Sequence, residues 1–110
     1  MAGILVIAEA QGGALAPISA ELLGAARKLA AEGAGNVTAL VAGSEALAKE
    51  LIALGADAAI AATNPALADG TVDAYLPAVD AAIAQSGAEI VLLGQTSLGR
   101  DLGPALAFKH

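Results

Sequence analysis

Ala88-Glu89-Ile90-Val91-Leu92-Leu93-Gly94-Gln95-Thr96-Ser97-Leu98-Gly99-Arg100-Asp101 is the stretch that decides the fold. Its centre, Ile90 to Leu93, is uninterrupted apolar sequence, which predicts a strand covered on both faces, as in a parallel sheet. Gly94 lets the chain turn as it leaves the sheet. Gln95 to Asp101 is polar and carries Gly99, and it falls at the carboxyl end of the strand, where open α/β sheets bind their ligands and partners. Pro104 then predicts a helix that begins near Gly99 or Arg100.

Working back from there, Gly3 to Ala8 contains a second apolar strand, Ile4-Leu5-Val6-Ile7, followed by Glu9-Ala10-Gln11-Gly12-Gly13, read as a loop. Pro17 and Ser19 announce a helix with Ser19 at its N-cap. Leu22, Leu23, Ala26, Leu29 and Ala30 recur at helical spacing, with Glu21, Arg27, Lys28 and Glu32 on the outer face. Gly33 or Gly35 ends it. Val37 to Val41 is a strand. Gly43-Ser44 opens a second helix with Leu47, Leu51 and Leu54 inward and Gly55 at its close.

Ala58 to Ala61 is a weak strand, supported mainly by the alternation around it. Thr63 to Gly70, with Asn64-Pro65 and Asp69-Gly70, is a loop. Thr71 or Asp73 caps a third helix whose inner side is Val72, Tyr75, Leu76, Val79 and Ile83. Pro77 makes this helix start late or bend. The order β-α-β-α-β-α-β predicts a three-layer α/β/α sandwich on a parallel Rossmann-like sheet with strand order 3-2-1-4. The strands at Ile4 and Ile90 are then neighbours, and their exits face each other across a crevice.

Composition excludes several classes of protein. The 110 residues are enough for one domain, and 57% hydrophobic against 15% charged residues is the balance of a folded chain. A net charge of −6 leaves no basic face for nucleic acid. With no cysteine, disulfide and thiolate-metal frameworks are excluded, which suits a reducing compartment, and the expected location is the cytoplasm. Mean hydropathy is +0.72, but 31 alanines raise it, and no run reaches the ~18 apolar residues of a membrane span. The amino end has no basic leader, so it does not read as a signal peptide.

The motifs then carry a resemblance. Ile4-Leu5-Val6-Ile7-Ala8-Glu9, Leu22-Leu23-Gly24-Ala25-Ala26-Arg27-Lys28-Leu29-Ala30 and Val37-Thr38-Ala39-Leu40-Val41-Ala42-Gly43 are similar to the opening of the electron transfer flavoprotein alpha subunit. Leu54-Gly55-Ala56-Asp57 and Val91 to Leu102 continue the match in register, and the Thr-Ser-x-Gly-Arg-Asp loop is its most specific part. Two positions depart: Ala10 stands where the family usually has histidine, and Ala105 where it usually has arginine.

The resemblance implies that residues 1–110 are the leading part of the subunit's first domain. The family adds further strands and a second domain, which holds most of its FAD. It also implies a beta subunit as partner, dehydrogenases as electron donors, and a place before the respiratory chain. This chain alone is expected to bind no FAD tightly.

Candidate binding residues fall in two loops. Gln11, Gly12 and Gly13 present amides that can approach an anion, though neither the G-x-G-x-x-G nor the P-loop spacing is present, and an ordinary strand-to-helix connection fits as well. Thr96, Ser97, Gly99, Arg100 and Asp101 offer hydroxyls, a guanidinium and a carboxylate to an anion or a partner loop. The alternative is that Ser97 caps a helix and Arg100 pairs with Asp101 or Glu9. No nucleophile stands beside a base and no carboxylate pair suits acid–base work, so no catalytic constellation is expected.

The other function class is a free-standing adenine-nucleotide-binding domain of universal stress type. A flavodoxin-like FMN carrier is disfavoured by the missing phosphate cradle and the scarcity of aromatics. The edge of the Ile90 strand and the stripe Leu98, Leu102 and Leu106 need cover, which predicts self-association or a larger complex.

Overall fold

The computed structural model describes residues 3–11, 14–62 and 72–94. Its sheet has four parallel strands: β1 (Ile4–Ile7), β4 (Val37–Ala42), β5 (Ala58–Ala62) and β6 (Ile90–Leu92). β2 (Ala10–Gln11) and β3 (Ala14–Leu15) form a separate two-stranded piece between β1 and the first helix. The sheet order is β5-β4-β1-β6, the 3-2-1-4 arrangement expected from the alternation of elements. β1 pairs on one side with β4, Ile4 opposite Val37, and on the other with β6, Ile4 opposite Ile90.

Strand periodicity divides the core in two. Ile4, Val6 and Ala8 face one side with Val37, Ala39 and Val41, where they meet Leu23 and Ala26 of α1 (Pro17–Leu29) and Leu47, Ala48 and Leu51 of α2 (Glu45–Ala53). Leu5, Ile7 and Leu40 face the other side and meet Tyr75, Val79 and Ala82 of α3 (Val72–Ser86). Each of the fully buried leucines contributes about 1.5–3 kcal/mol by leaving water. β1 is buried along its whole length because both faces are covered. β6 is only half-buried, and among the described residues it pairs with β1 alone.

Four sequence expectations are corrected. Ser19 is not an N-cap: α1 begins two residues earlier at Pro17, with Ala16 as its cap, because proline is favoured at the first helical position. Ala10 and Gln11 are not loop but strand, Ala10 opposite Leu15 and Gln11 opposite Ala14. Leu54 is not inward but 49% exposed: α2 stops at Ala53, and Gly55, at φ +123°, turns the chain away before another inward position is reached. Ala48 and Ala56 fill that side instead. Finally, of the two expectations for Pro77, the late start is set aside: α3 begins at Val72, and Pro77 lies inside it on an exposed position.

The helix ends follow the glycines. α1 passes into one wide turn, Ala30–Ala34, which Gly33 leaves at φ 97°. β5 is present as expected, one residue longer than its sequence suggested. The loop expected over 63–70 and the helix expected after Gly99 lie outside the described residues.

Candidate functional site

The carboxyl ends of β1 and β6 leave the sheet side by side, and between them the direction of strand addition reverses. This is the position at which open α/β sheets form a binding crevice. The residues that shape it come from the β1 exit, the first turn of α1, the β6 exit and one residue of α3.

At the β1 exit, Ala8 N–H donates to the Leu40 carbonyl at 2.8 Å and keeps the chain in line with the sheet. Glu9 then departs and is clamped by α1. Its N–H donates to Ser19 Oγ at 2.9 Å, and Ser19 Oγ–H donates back to the Glu9 carbonyl at 2.8 Å. The same carbonyl accepts the Ala16 N–H at 2.8 Å. Ser19 is 0% exposed, so its hydroxyl is the internal partner that satisfies Glu9's main chain where no ladder reaches it.

Gly94 closes the crevice from the β6 side. A Cβ placed on it would stand 2.7 Å from Ile18 Cγ1 and 3.5 Å from Glu9 Oε2. The glycine is therefore required by close approach, and the Glu9 carboxylate is at the β6 exit. From the α3 side comes Tyr75, 7% exposed. Burial pushes its phenol above the usual 10.0, and the negative charge of Glu9 adds to the rise. The described part of the crevice thus offers the Glu9 carboxylate, on a frame fixed by Ser19.

The sequence candidates are placed unevenly. Gln11 lies on β2, paired through Ala14. Gly12, Gly13, Thr96, Ser97, Gly99, Arg100 and Asp101 lie outside the described residues. Sequence reasoning missed Ser19's clamp, the reason for Gly94, and the electrostatic influence of Glu9 on Tyr75. A signal existed for the first: a serine two residues past a helix-starting proline is three positions past the N-cap.

Among the described residues Tyr75 is the aromatic side chain, and it is packed in the core with Leu5, Ile7 and Val79. Among the described residues no three His, Cys, Asp or Glu side chains gather to hold a metal ion. No helix among them is long and apolar enough to cross a membrane.

At the opposite edge of the sheet, Asp57 ties the entry of β5 to its neighbours. Its Oδ2 accepts the Val37 N–H at 2.8 Å and an Arg27 Nη1–H at 3.1 Å. The Val37 bond holds the Asp57 carboxyl below its usual value; slight burial opposes this, and the Arg27 charge reinforces it. This cluster is structural and stands at the wrong end of the sheet to join the crevice.

Comparison with known proteins gives a consistent answer. The model of the electron transfer flavoprotein domain matches residues 4–109. The chain is 39% identical, over 106 residues, to the electron transfer flavoprotein subunit alpha of Thermoanaerobacterium thermosaccharolyticum, covering 94% of this chain and 32% of that one. It is 36% identical to the corresponding subunit of Clostridium acetobutylicum, covering 96% and 32%. It is 37% identical to the acryloyl-CoA reductase electron transfer subunit beta of Anaerotignum propionicum, covering 94% and 29%. The chain therefore spans about a third of the length of these curated relatives. These matches favour the flavoprotein resemblance over a free-standing adenine-nucleotide-binding domain.

Proposed function

The chain belongs to the electron transfer flavoprotein family, and from that premise we propose that it is the leading, partner-facing part of an alpha-type subunit in a cytoplasmic, FAD-containing electron carrier. The observation that carries the reading is the continuous family match laid over a Rossmann-type sheet with its switch point between β1 and β6. A part built this way positions and recognises; the redox chemistry comes from FAD held by other sequence when it is bound. Its own residues supply a rigid frame, in which Ser19 fixes the β1 exit and Gly94 lets the β6 exit close upon it.

In this reading the chain is a component of a carrier rather than a catalyst, and its partners are a beta-type subunit and, through the whole complex, dehydrogenases. Gln11, Gly12, Gly13, Thr96, Ser97, Gly99, Arg100 and Asp101 are proposed as contact residues for a cofactor or partner. The family match supports this, since all eight lie within the matched residues.

The experiment is size-exclusion chromatography of the chain with a beta-type subunit of the same organism, monitored at protein and flavin wavelengths. The expected result is a complex, and no flavin absorbance from the chain alone. Stoichiometric FAD on the isolated chain, or no complex at tens of micromolar, which is well above the Kd of about 1 μM that a specific interface commonly reaches, would refute the proposal.

A further inference from the structure

β5 is the outermost strand on its side of the sheet, and among the described residues nothing pairs with its outer edge. Exposed edges are ordinarily guarded by a charge, a proline or a bulge. Ala58-Ala59-Ile60-Ala61-Ala62 has none of these. In a chain of net charge −6 this is a neutral window, because the one adjacent acid, Asp57, is held by Arg27 and the Val37 N–H. Its flanks are apolar. Ile52, near the end of the helix that packs on β5, and Leu54, just past that end, are each 49% exposed. On the α3 face a groove of about 180 Å³ runs beside Thr38, Ala58, Ile60 and Gln85.

The five residues read identically in both directions. A two-fold axis through Ile60 therefore places like on like: Ile60 against Ile60 of a second copy, and Ala59 against Ala61. The hydrogen-bond parity agrees with that register. The Ala62 carbonyl accepts the Gly43 N–H at 3.0 Å, so Ala62 turns its polar groups toward β4. Successive residues of a strand alternate, so Ala59 and Ala61 turn theirs outward. Antiparallel pairing about Ile60 brings these outward groups opposite one another, for about four main-chain hydrogen bonds, with the two Ile60 side chains meeting as a non-hydrogen-bonded pair.

We propose that the β5 edge is a self-association site, through which two copies of this chain join their four-stranded sheets antiparallel about a two-fold axis at Ile60. Such an interface is isologous by construction. It buries less than the standard interface of about 1,600 Å², so the dimer is weak and concentration-dependent. Its edge is opposite the β1–β6 crevice, which leaves the crevice free for another partner and makes the two readings independently testable.

The natural chain has no cysteine, which allows a clean cross-linking test. In the proposed register the Cα atoms of the two Ile60 residues are ~4.5 Å apart, inside the ~4.4–6.8 Å that a disulfide spans. Those of the two Ala62 residues are ~13 Å apart along the strands. Under mild oxidation the Ile60→Cys chain should become a covalent dimer, while the Ala62→Cys and Ile52→Cys chains form no disulfide-linked dimer. Sedimentation of the unaltered chain should show its mean mass rising toward twice the monomer's with concentration. Ile60→Lys and Ile60→Glu chains should each stay monomeric, and an equimolar mixture of the two should dimerise. The proposal is overturned if the unaltered chain remains monomeric up to about 1 mM, the range of the weakest useful affinities. It is equally overturned if Ile60→Cys cross-links no faster than Ile52→Cys.

Discussion

Replacing Ser19 by alanine tests whether the clamp on Glu9 is as important as its geometry implies. The substitution removes one oxygen, and with it two hydrogen bonds, at 2.9 Å from the Glu9 N–H and 2.8 Å to the Glu9 carbonyl. The two losses are unequal. The carbonyl keeps the Ala16 N–H at 2.8 Å, so its loss is worth about 0.5–1.5 kcal/mol at most. The Glu9 N–H is left without its partner beside a residue that is 0% exposed, and orphaning a buried donor costs about 1–3 kcal/mol. The expected destabilisation is about 2 kcal/mol, or a fall of roughly 9 °C in Tm for a domain of this size. Ser44→Ala is the control. Ser44 occupies a true N-cap, yet its side chain makes no cap bond, so its loss should stay within about 0.5 kcal/mol. Urea unfolding of both variants, with the slope m checked for constancy, measures the difference. If Ser19→Ala is no more costly than Ser44→Ala, the clamp is not what holds the β1 exit.

Gly94→Ala should destabilise by about 1–3 kcal/mol through overpacking, since its Cβ would stand 2.7 Å from Ile18 Cγ1; combining it with Ile18→Ala should cost less than the sum of the two singles, a coupling that a double-mutant cycle in urea detects. Pro77→Ala should stabilise the chain by about 1–3 kcal/mol by restoring an interior helical hydrogen bond, read as a higher urea midpoint. Asp57 governs acid stability: its carboxyl is depressed below the usual 3.8, so its contribution is complete above that pH and is lost as pH falls through the lower, folded-state value. The gap in stability between the natural chain and Asp57→Ala should therefore narrow below pH 3.8. Because the Val37 N–H is the main cause and the Arg27 pair is exposed and screened, Arg27→Ala should cost less than Asp57→Ala in the same titration.

The fold was legible because its strongest signals are non-local in consequence but local in sequence. Ile4 to Ile7 and Ile90 to Leu92 are continuous apolar runs, and a run without polar alternation belongs in a sheet covered on both faces. Once helices at Leu22 and Leu47 separate such runs, parallel pairing and the 3-2-1-4 order follow with few alternatives. The details that failed were those in which one residue's chemistry supports two placements. Ser19 has a capping side chain, but Pro17 outranks it for the helix start, and the freed hydroxyl turns inward to Glu9. Leu54 keeps helical spacing from Leu47 and Leu51, but spacing does not say where the helix stops, and Gly55 stops it first.

The crevice was legible as a position and not as a set of contacts, for a physical reason. Strand order alone determines that the β1 and β6 exits are adjacent, and strand order is written in the alternation of elements. Which side chains meet there depends on approach distances that no periodicity encodes. Gly94 shows this well. As a sequence feature it reads as freedom to turn, yet it is not among the glycines with positive φ; its role is the absence of a Cβ where Ile18 and Glu9 press in. The glycine rule of sequence reading is conformational, whereas the need here is steric. It follows that Glu9, unremarkable in composition, is the residue on which the β1 exit, the first turn of α1, the β6 exit and Tyr75 all converge. Its main chain is held by Ser19 and Ala16, its carboxylate approaches Gly94, and its charge is felt by a phenol on the opposite face of the sheet. A change at Glu9 therefore reaches every element around the crevice, while a change at Asp57 reaches only the far end of the sheet.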